Sequence, residues 1–276
     1  MFGAILLSGK PPAPAGFDPV SLFGAGDDGW YWEPSLATTF TDVARTTPTT
    51  VGGPVGGVTD LSGKENHGFQ EAAVRRVTLR QAANGRYFYE SDAVEDVLRC
   101  GMNMNGKRMT VAMAYRPIAR DSMFMSDGLG GSKFVGIAQP DSGSTTLAAS
   151  ATINSIRLGN VLFTGTTRGD LYTSVQANKS FIFDATISAG AWEPGFGRYQ
   201  NFQIYPPGDI FAIFGIDREI TSTERANLDA HLLALVPTES LFTSNGAGSV
   251  MFMSAGAAPN SQFEDNQDGT ISVVAA

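Results

Sequence analysis

Three carboxylates stand within six residues at Glu90-Ser91-Asp92-Ala93-Val94-Glu95, spaced E-x-D-x-x-E. Paired carboxyl groups are the equipment of glycoside hydrolysis, where one protonates the leaving oxygen and the other attacks or activates water. No other stretch has catalytic spacing. Asp265-Asn266-Gln267-Asp268-Gly269 puts oxygen ligands beside a glycine but lacks the later bidentate Glu of an EF-hand loop, so it reads as a turn. Two His and one Cys cannot build a zinc site without carboxylate help. No Gly-rich phosphate loop ends in Lys-Ser/Thr. Cys100 carries no nucleophile motif and reads as a buried free thiol. No metal and no cofactor is expected.

Sugar binding asks for an exposed aromatic beside polar groups. Trp192-Glu193-Pro194-Gly195-Phe196-Gly197, followed by Tyr199 and Asn201, is the best such stretch. Gly and Pro keep it a loop, where an aromatic is harder to bury. Trp192, Phe196, Tyr199 and Asn201 are therefore the candidate glycan-binding set. A subunit contact would use the same residue types.

The elements that position these residues are organised around Pro54 to Gln70, PVGGVTDLSGKENHGFQ. Asp60 and Ser62 can each bond backbone amides two residues on, and Gly63 and Gly68 can take positive φ. Asn66 and His67 can tie this polar turn to its neighbours. Asp60, Ser62, Asn66 and His67 thus form a structural hub between two strands. The segment resembles the D-x-S-G-x-x-N-H motif near the start of laminin-G-like, concanavalin-A-like jelly-roll domains of bacteriophage virion proteins. The resemblance includes Ser21 to Gly26, Gly29-Trp30-Tyr31-Trp32-Glu33-Pro34-Ser35, Phe40-Thr41-Asp42 and Thr46-Thr47-Pro48, in order and spacing. It continues to Asp96, reappears from Gly208 to Leu235, and covers about half the chain. It implies a jelly roll of two antiparallel sheets in a virion setting, with no activity common to the family.

The carboxylate run has a resemblance of its own, to the motif of retaining glucanases of concanavalin-like fold. Carried over, it would make Glu90 the nucleophile and Glu95 the acid/base. Ser91 departs from the apolar flank of that motif. Tyr89 to Leu98 also fits the virion family's F-D-G-V-D-D-x-L strand and turn, with Asp92, Val94 and Asp96 matching. The reading adopted is no catalytic residue and no enzyme. A glycosidase using Glu90 and Glu95 is the last alternative.

Composition agrees with an all-β chain. Hydrophobic residues make up 42% and charged residues 17% of 276, enough to bury a sizeable core. The 32 Gly and 14 Pro call for many turns. A net charge of −8 opposes nucleic acid or an anionic membrane as partner. One cysteine allows no internal disulfide. The start, MFGAILLSGK, has a short apolar run without a positive flank, so no secretory signal is expected. No stretch is long enough to span a bilayer.

Residues 1–16 read as an arm. Phe2, Ile5, Leu6 and Leu7 form an apolar tip, and the prolines after Lys10 favour an extended linker. Such a segment is either a disordered tail or a device docking on another subunit. Residues 17–236 read as the jelly roll. Trp30 and Trp32 share one strand face and Tyr31 takes the other. Met109, Val111, Met113 and Tyr115 alternate with Thr110, Ala112 and Ala114, as in a half-buried strand. Further strands are expected at 133–137, 157–163, 171–175 and 181–187. Ile210 to Ile216 is continuously apolar, hence covered on both faces. One helix is expected, opened by the capping box Thr221-Ser222-Thr223-Glu224 and striped by Leu228, Leu232 and Leu235. His231 lies off that stripe and reads as a surface residue. Residues 237–276 read as a β extension, with strands at 249–253 and 270–274, adding to the sandwich or packing on a neighbouring subunit.

The function expected is that of a phage virion structural protein. Its lectin-like domain would face outward and serve tail-fibre or receptor-binding adhesion to host surface glycans. The alternative is a capsid decoration protein or head fibre that binds no sugar. Other virion proteins and further copies of the chain, a trimer by analogy, are the expected partners. The protein would be assembled in the host cytoplasm and exposed on the particle.

Overall fold

Nine consecutive residues, Gly208–Ile216, apolar or glycine except for Asp209, form the strand at the middle of the fold, and all nine are buried. The computed structural model describes residues 16–91, 96, 98–119, 122–126, 134–188, 195–196, 208–237, 242–244, 250–252, 262–265 and 271–274. In chain order the elements are β1 (Gly29–Trp32), β2 (Thr39–Phe40), β3 (Gly57–Val58), β4 (Gly68–Phe69), β5 (Thr78–Gln81) and β6 (Tyr87–Glu90). Next come β7 (Leu98–Arg99), β8 (Arg108–Pro117), β9 (Ser122–Ser126), β10 (Phe134–Ala138), β11 (Ala148–Ala149), β12 (Ala151–Leu158) and β13 (Val161–Leu162). Then follow α1 (Arg168–Gln176), β14 (Ser180–Ile187), β15 (Gly195–Phe196), β16 (Gly208–Ile216) and α2 (Ser222–Leu235).

The strands form two eight-stranded antiparallel sheets, an all-β sandwich. The first runs β13-β12-β14-β8-β16-β6-β5, with β1 also paired to β16; the second runs β11-β10-β9-β15-β7-β4-β3-β2. One core lies between them. Trp30, Trp32, Met113, Phe181 and Phe183 from the first sheet meet Val58, Leu98, Phe124 and Val135 from the second. Phe124 stacks on Phe181 across that gap, ring centroids 4.0 Å apart.

A second core covers the outer face of the first sheet. Tyr31, Ala112, Ala114, Phe211 and Phe214 pack there against Leu228, Leu232 and Leu235 of α2. The capping box of α2 is formed as its sequence requires. The same core corrects the half-buried reading of β8: its alanine face is buried too, because small side chains let the helix approach.

Two further expectations are corrected. Residues 171–175 are not a strand but part of α1, so the described residues of the sandwich hold two α-helices. Thr167 and Asp170 close a capping box, and Leu171 and Val175, four apart, bury one helical face. The 157–163 strand is broken into the β12–β13 hairpin. Gly159 and Asn160 both take positive φ, 53° and 67°, as a tight two-residue turn demands.

The tail carries strands at both places expected, near 249–253 and 270–274. The chain divides after Val236 into two compact units. In the second unit β17 (Phe242–Ser244) pairs with β18 (Val250–Phe252), and β19 (Gln262–Asp265) pairs with β20 (Ile271–Val274). Among the described residues each hairpin is a two-stranded sheet of its own. Each strand finds its partner in the next segment of chain, the shortest connection available. Residues 266–270, with the turn signal, lie outside the described set.

Gly215 in β16 has no room for a side chain: an added Cβ would come within 2.3 Å of the Trp30 indole. Gly215→Ala should destabilise the sandwich by about 1–3 kcal/mol through overpacking, read as a lower urea midpoint at unchanged slope.

Candidate functional site

Asp60 is buried, and its carboxylate accepts four hydrogen bonds. Oδ1 takes the amides of Tyr31 and Ser62, both at 2.9 Å, and Oδ2 takes the Ser62 hydroxyl at 2.6 Å and the Asn66 amide at 3.0 Å. The Asp60 amide donates to His67 Nδ1 at 3.0 Å. Asn66 reaches back with its side-chain amide to Asp28 Oδ1 and to the Gly29 carbonyl, both at 2.7 Å. Its own carbonyl accepts from Trp32 Nε1 at 3.0 Å. The four hub residues thus tie the 59–67 turn to both ends of β1. Gly63 takes positive φ, 77°, as its type allows. Gly68 does not: Glu65 is the other left-handed residue, and Gly68 is needed because a Cβ there would crowd Trp32 and Val58.

The opposite face of β1 carries a second polar group that the sequence did not announce. The Tyr31 hydroxyl donates to Glu33 Oε2 at 2.5 Å and lies 3.0 Å from His231 Nε2 on α2. With its hydrogen given to Glu33, the hydroxyl oxygen accepts from a neutral His231 protonated at Nε2. Burial pushes the Tyr31 hydroxyl far above its ordinary pKa, and the Glu33 charge adds to this. Burial pulls the His231 imidazole down. His231 is therefore half-buried against Tyr31, correcting its surface reading. Tyr31 points away from the tryptophans and meets the helix edge that bears it.

Next to Glu33 lies a cavity of about 220 Å³, lined by Glu33, Pro34, Ser35, Arg86, Tyr87 and Phe211 among others. Arg86 Nη1 stands 3.8 Å from Glu33 Oε1. A larger groove of about 420 Å³ runs between the β12–β13 hairpin and α1. Its carboxylate, Asp170, is spent on the amides of Thr166 and Thr167 at the start of α1. Val161 and Leu162 at its side are 70% and 48% exposed.

The candidate catalytic run is only partly described. Glu90 ends β6 and pairs with Arg80 of the neighbouring strand at 2.6 Å, while Asp92 and Glu95 lie outside the described residues. Trp192, Tyr199 and Asn201 also lie outside, as do Phe2, Ile5, Leu6 and Leu7. Gly195–Phe196, read as loop, has strand pairing with Leu98–Arg99. Among the described residues, no group of three or more His, Cys, Asp or Glu could hold a metal ion. Nor is any helix there long and apolar enough to cross a membrane.

Beyond the hub, Arg218 locks the start of α2 to the first sheet. It pairs with Glu224 at 2.9 Å and Asp27 at 3.2 Å, and donates to the Leu22 carbonyl. The Arg218 guanidinium holds the Glu224 carboxyl down at about 2. No family model matches the chain, and neither curated proteins nor solved structures give a match.

Two outcomes are expected. Asp60→Ala orphans four donors, three of them buried, at about 1–3 kcal/mol for each buried one, so it should cost about 3 kcal/mol or more, checked by urea unfolding. Asp60→Asn should cost less, because an amide oxygen remains. His67, His231 and Glu224 all hold protons less tightly folded than unfolded, so acidification favours the unfolded chain. Stability should fall first as pH drops below 6.5, the ordinary histidine value, and again from 4.5 toward about 2 as Glu224 titrates. Thermal melts across pH should show both stages, and the double variant His67→Gln/His231→Gln should flatten the first.

Proposed function

We propose that this chain is a bacteriophage virion structural protein whose concanavalin-A-like jelly roll faces outward from the particle. Its task is adhesion to a host surface glycan, as a tail-fibre or receptor-binding component. One observation carries the reading. The D-x-S-G-x-x-N-H turn and the Trp30-Tyr31-Trp32 strand, the two segments with the strongest resemblance to phage jelly rolls, are joined through Asp60 and Asn66. That supports a shared architecture rather than a chance match of short motifs. The role involves no catalysis and no cofactor. Its partners are other virion proteins and further copies of the chain, with a trimer suggested by analogy.

A second reading, a capsid decoration protein or head fibre without sugar binding, is favoured by the groove beside α1. Val161 and Leu162 expose apolar surface at the edge of the first sheet, and the groove's carboxylate is already committed. Such a surface suits protein contact better than a hydrated glycan.

Locating the chain in electron micrographs of the particle tests the reading most directly. A position on tail or fibre, with adsorption of the purified protein to host cells, is the expected outcome. A place on the capsid lattice with no adsorption leaves decoration. Turnover of β-glucans that vanishes in Glu90→Gln would replace both with a hydrolase. Deleting residues 1–16 should leave the sandwich folded by far-UV circular dichroism and abolish incorporation into particles. Normal incorporation would make that segment a mere tail.

A further inference from the structure

We propose that the cavity beside Glu33 binds a single sugar unit of a glycan, held between the Glu33 carboxylate and the Arg86 guanidinium. The biological sense of this site rests on the adhesion reading; the site itself is argued from geometry. At 3.8 Å the Glu33–Arg86 pair is beyond hydrogen-bonding distance. The two side chains are 31% and 50% exposed, and a pair so placed contributes about 0–1 kcal/mol to stability. Stability does not explain why the two charges face each other there. Among the described residues that loose pair is the one polar contact of the guanidinium, which leaves its five donors open to a ligand.

Glu33, in contrast, is held in place. The Tyr31 hydroxyl fixes Oε2 from below, and His231 fixes the hydroxyl. Oε1 is the carboxylate oxygen nearer Arg86. A carboxylate held this way loses little freedom when a ligand arrives. Pro34, Tyr87 and the buried Phe211 and Leu235 give the cavity an apolar wall and floor.

The charges select the chemistry. A lone anion attracted by Arg86 would be repelled by Glu33, and a lone cation the reverse. A neutral polyol meets both demands, since each hydroxyl donates to a carboxylate and accepts from a guanidinium. The C–H face of a sugar ring matches the Tyr87 and Pro34 wall. At about 220 Å³ the cavity falls below the roughly 300–1,000 Å³ of sites for larger ligands, so it takes one ring rather than a stretch of polymer. A zwitterion such as a free amino acid is the other ligand with matching charges.

The test uses the full chain on a glycan array, with saturation-transfer NMR against free glucose, galactose, mannose and N-acetylglucosamine. Arg86→Ala, Glu33→Gln and Trp192→Ala are compared, with thermal melts to confirm folding. The expected result is sugar binding weakened at least about tenfold by Arg86→Ala, the loss of a charge-assisted hydrogen bond. Should Glu33→Gln disturb the fold through Tyr31, the half-exposed Arg86 still decides the matter. Sugar binding insensitive to both pocket variants and lost in Trp192→Ala overturns this site and leaves adhesion standing. Displacement by free glycine or alanine, with no sugar bound, overturns the sugar assignment. No sugar bound at all overturns the site as well; adsorption to host cells in that case keeps adhesion, and its absence removes both.

Discussion

The fold depends on a buried carboxylate that faces amide and hydroxyl groups. Asp60 sits inside the sandwich with no cationic side chain among the described residues on its oxygens; four hydrogen bonds take the place of the water it gave up. One of them comes from the amide of Tyr31, in the middle of β1. The position of β1 decides both sides of the first sheet. Trp30 and Trp32 go into the core shared with the second sheet, and Tyr31 goes under α2. A shift of β1 by one residue would exchange these faces. Asp60 and Asn66 therefore fix a register as much as they lower an energy.

Charge pairs repeat this work at the sheet margins. Lys107 bridges Asp217 and Asp28, joining the approach to β8 with the ends of β16 and β1. Arg108 takes Asp184 of β14, and Arg116 takes Asp209 of β16 while lying over the Phe88 ring. Each pair joins neighbouring strands or their ends, so the pairs act on alignment where the apolar core is indifferent to a small slip.

What could be read from the sequence was what is local. The W-Y-W alternation, the polar turn at 59–67, the β16 run and the α2 capping box each lie within a few residues, and their physics needs no distant partner. The misread pieces failed for identifiable reasons. Leu171 and Val175 are too few to separate a helical stripe from a strand without the Thr167–Asp170 cap. Ala112 and Ala114 look like a solvent face until the helix that covers them is known. Tyr31 and His231 stand 200 positions apart, and nothing near either residue names the other. The Glu33–Arg86 cavity was invisible for the same reason, since β6 and the segment after β1 meet only through the sheet.

The place of β16 has a consequence for how the molecule comes into being. It is the sixteenth strand in the chain, yet it lies at the centre of the first sheet, with β8 on one side and β1 and β6 on the other. During synthesis β1, β6 and β8 all leave the ribosome without their central partner. Their open edges and the Trp30 and Tyr31 faces must wait until residue 216 has emerged. Closure is a long-range event, which slows folding and leaves the nascent chain adhesive in the meantime. The sandwich can be completed only after most of the chain exists, so a translation stall before β16 would yield a product prone to aggregate, not a smaller domain.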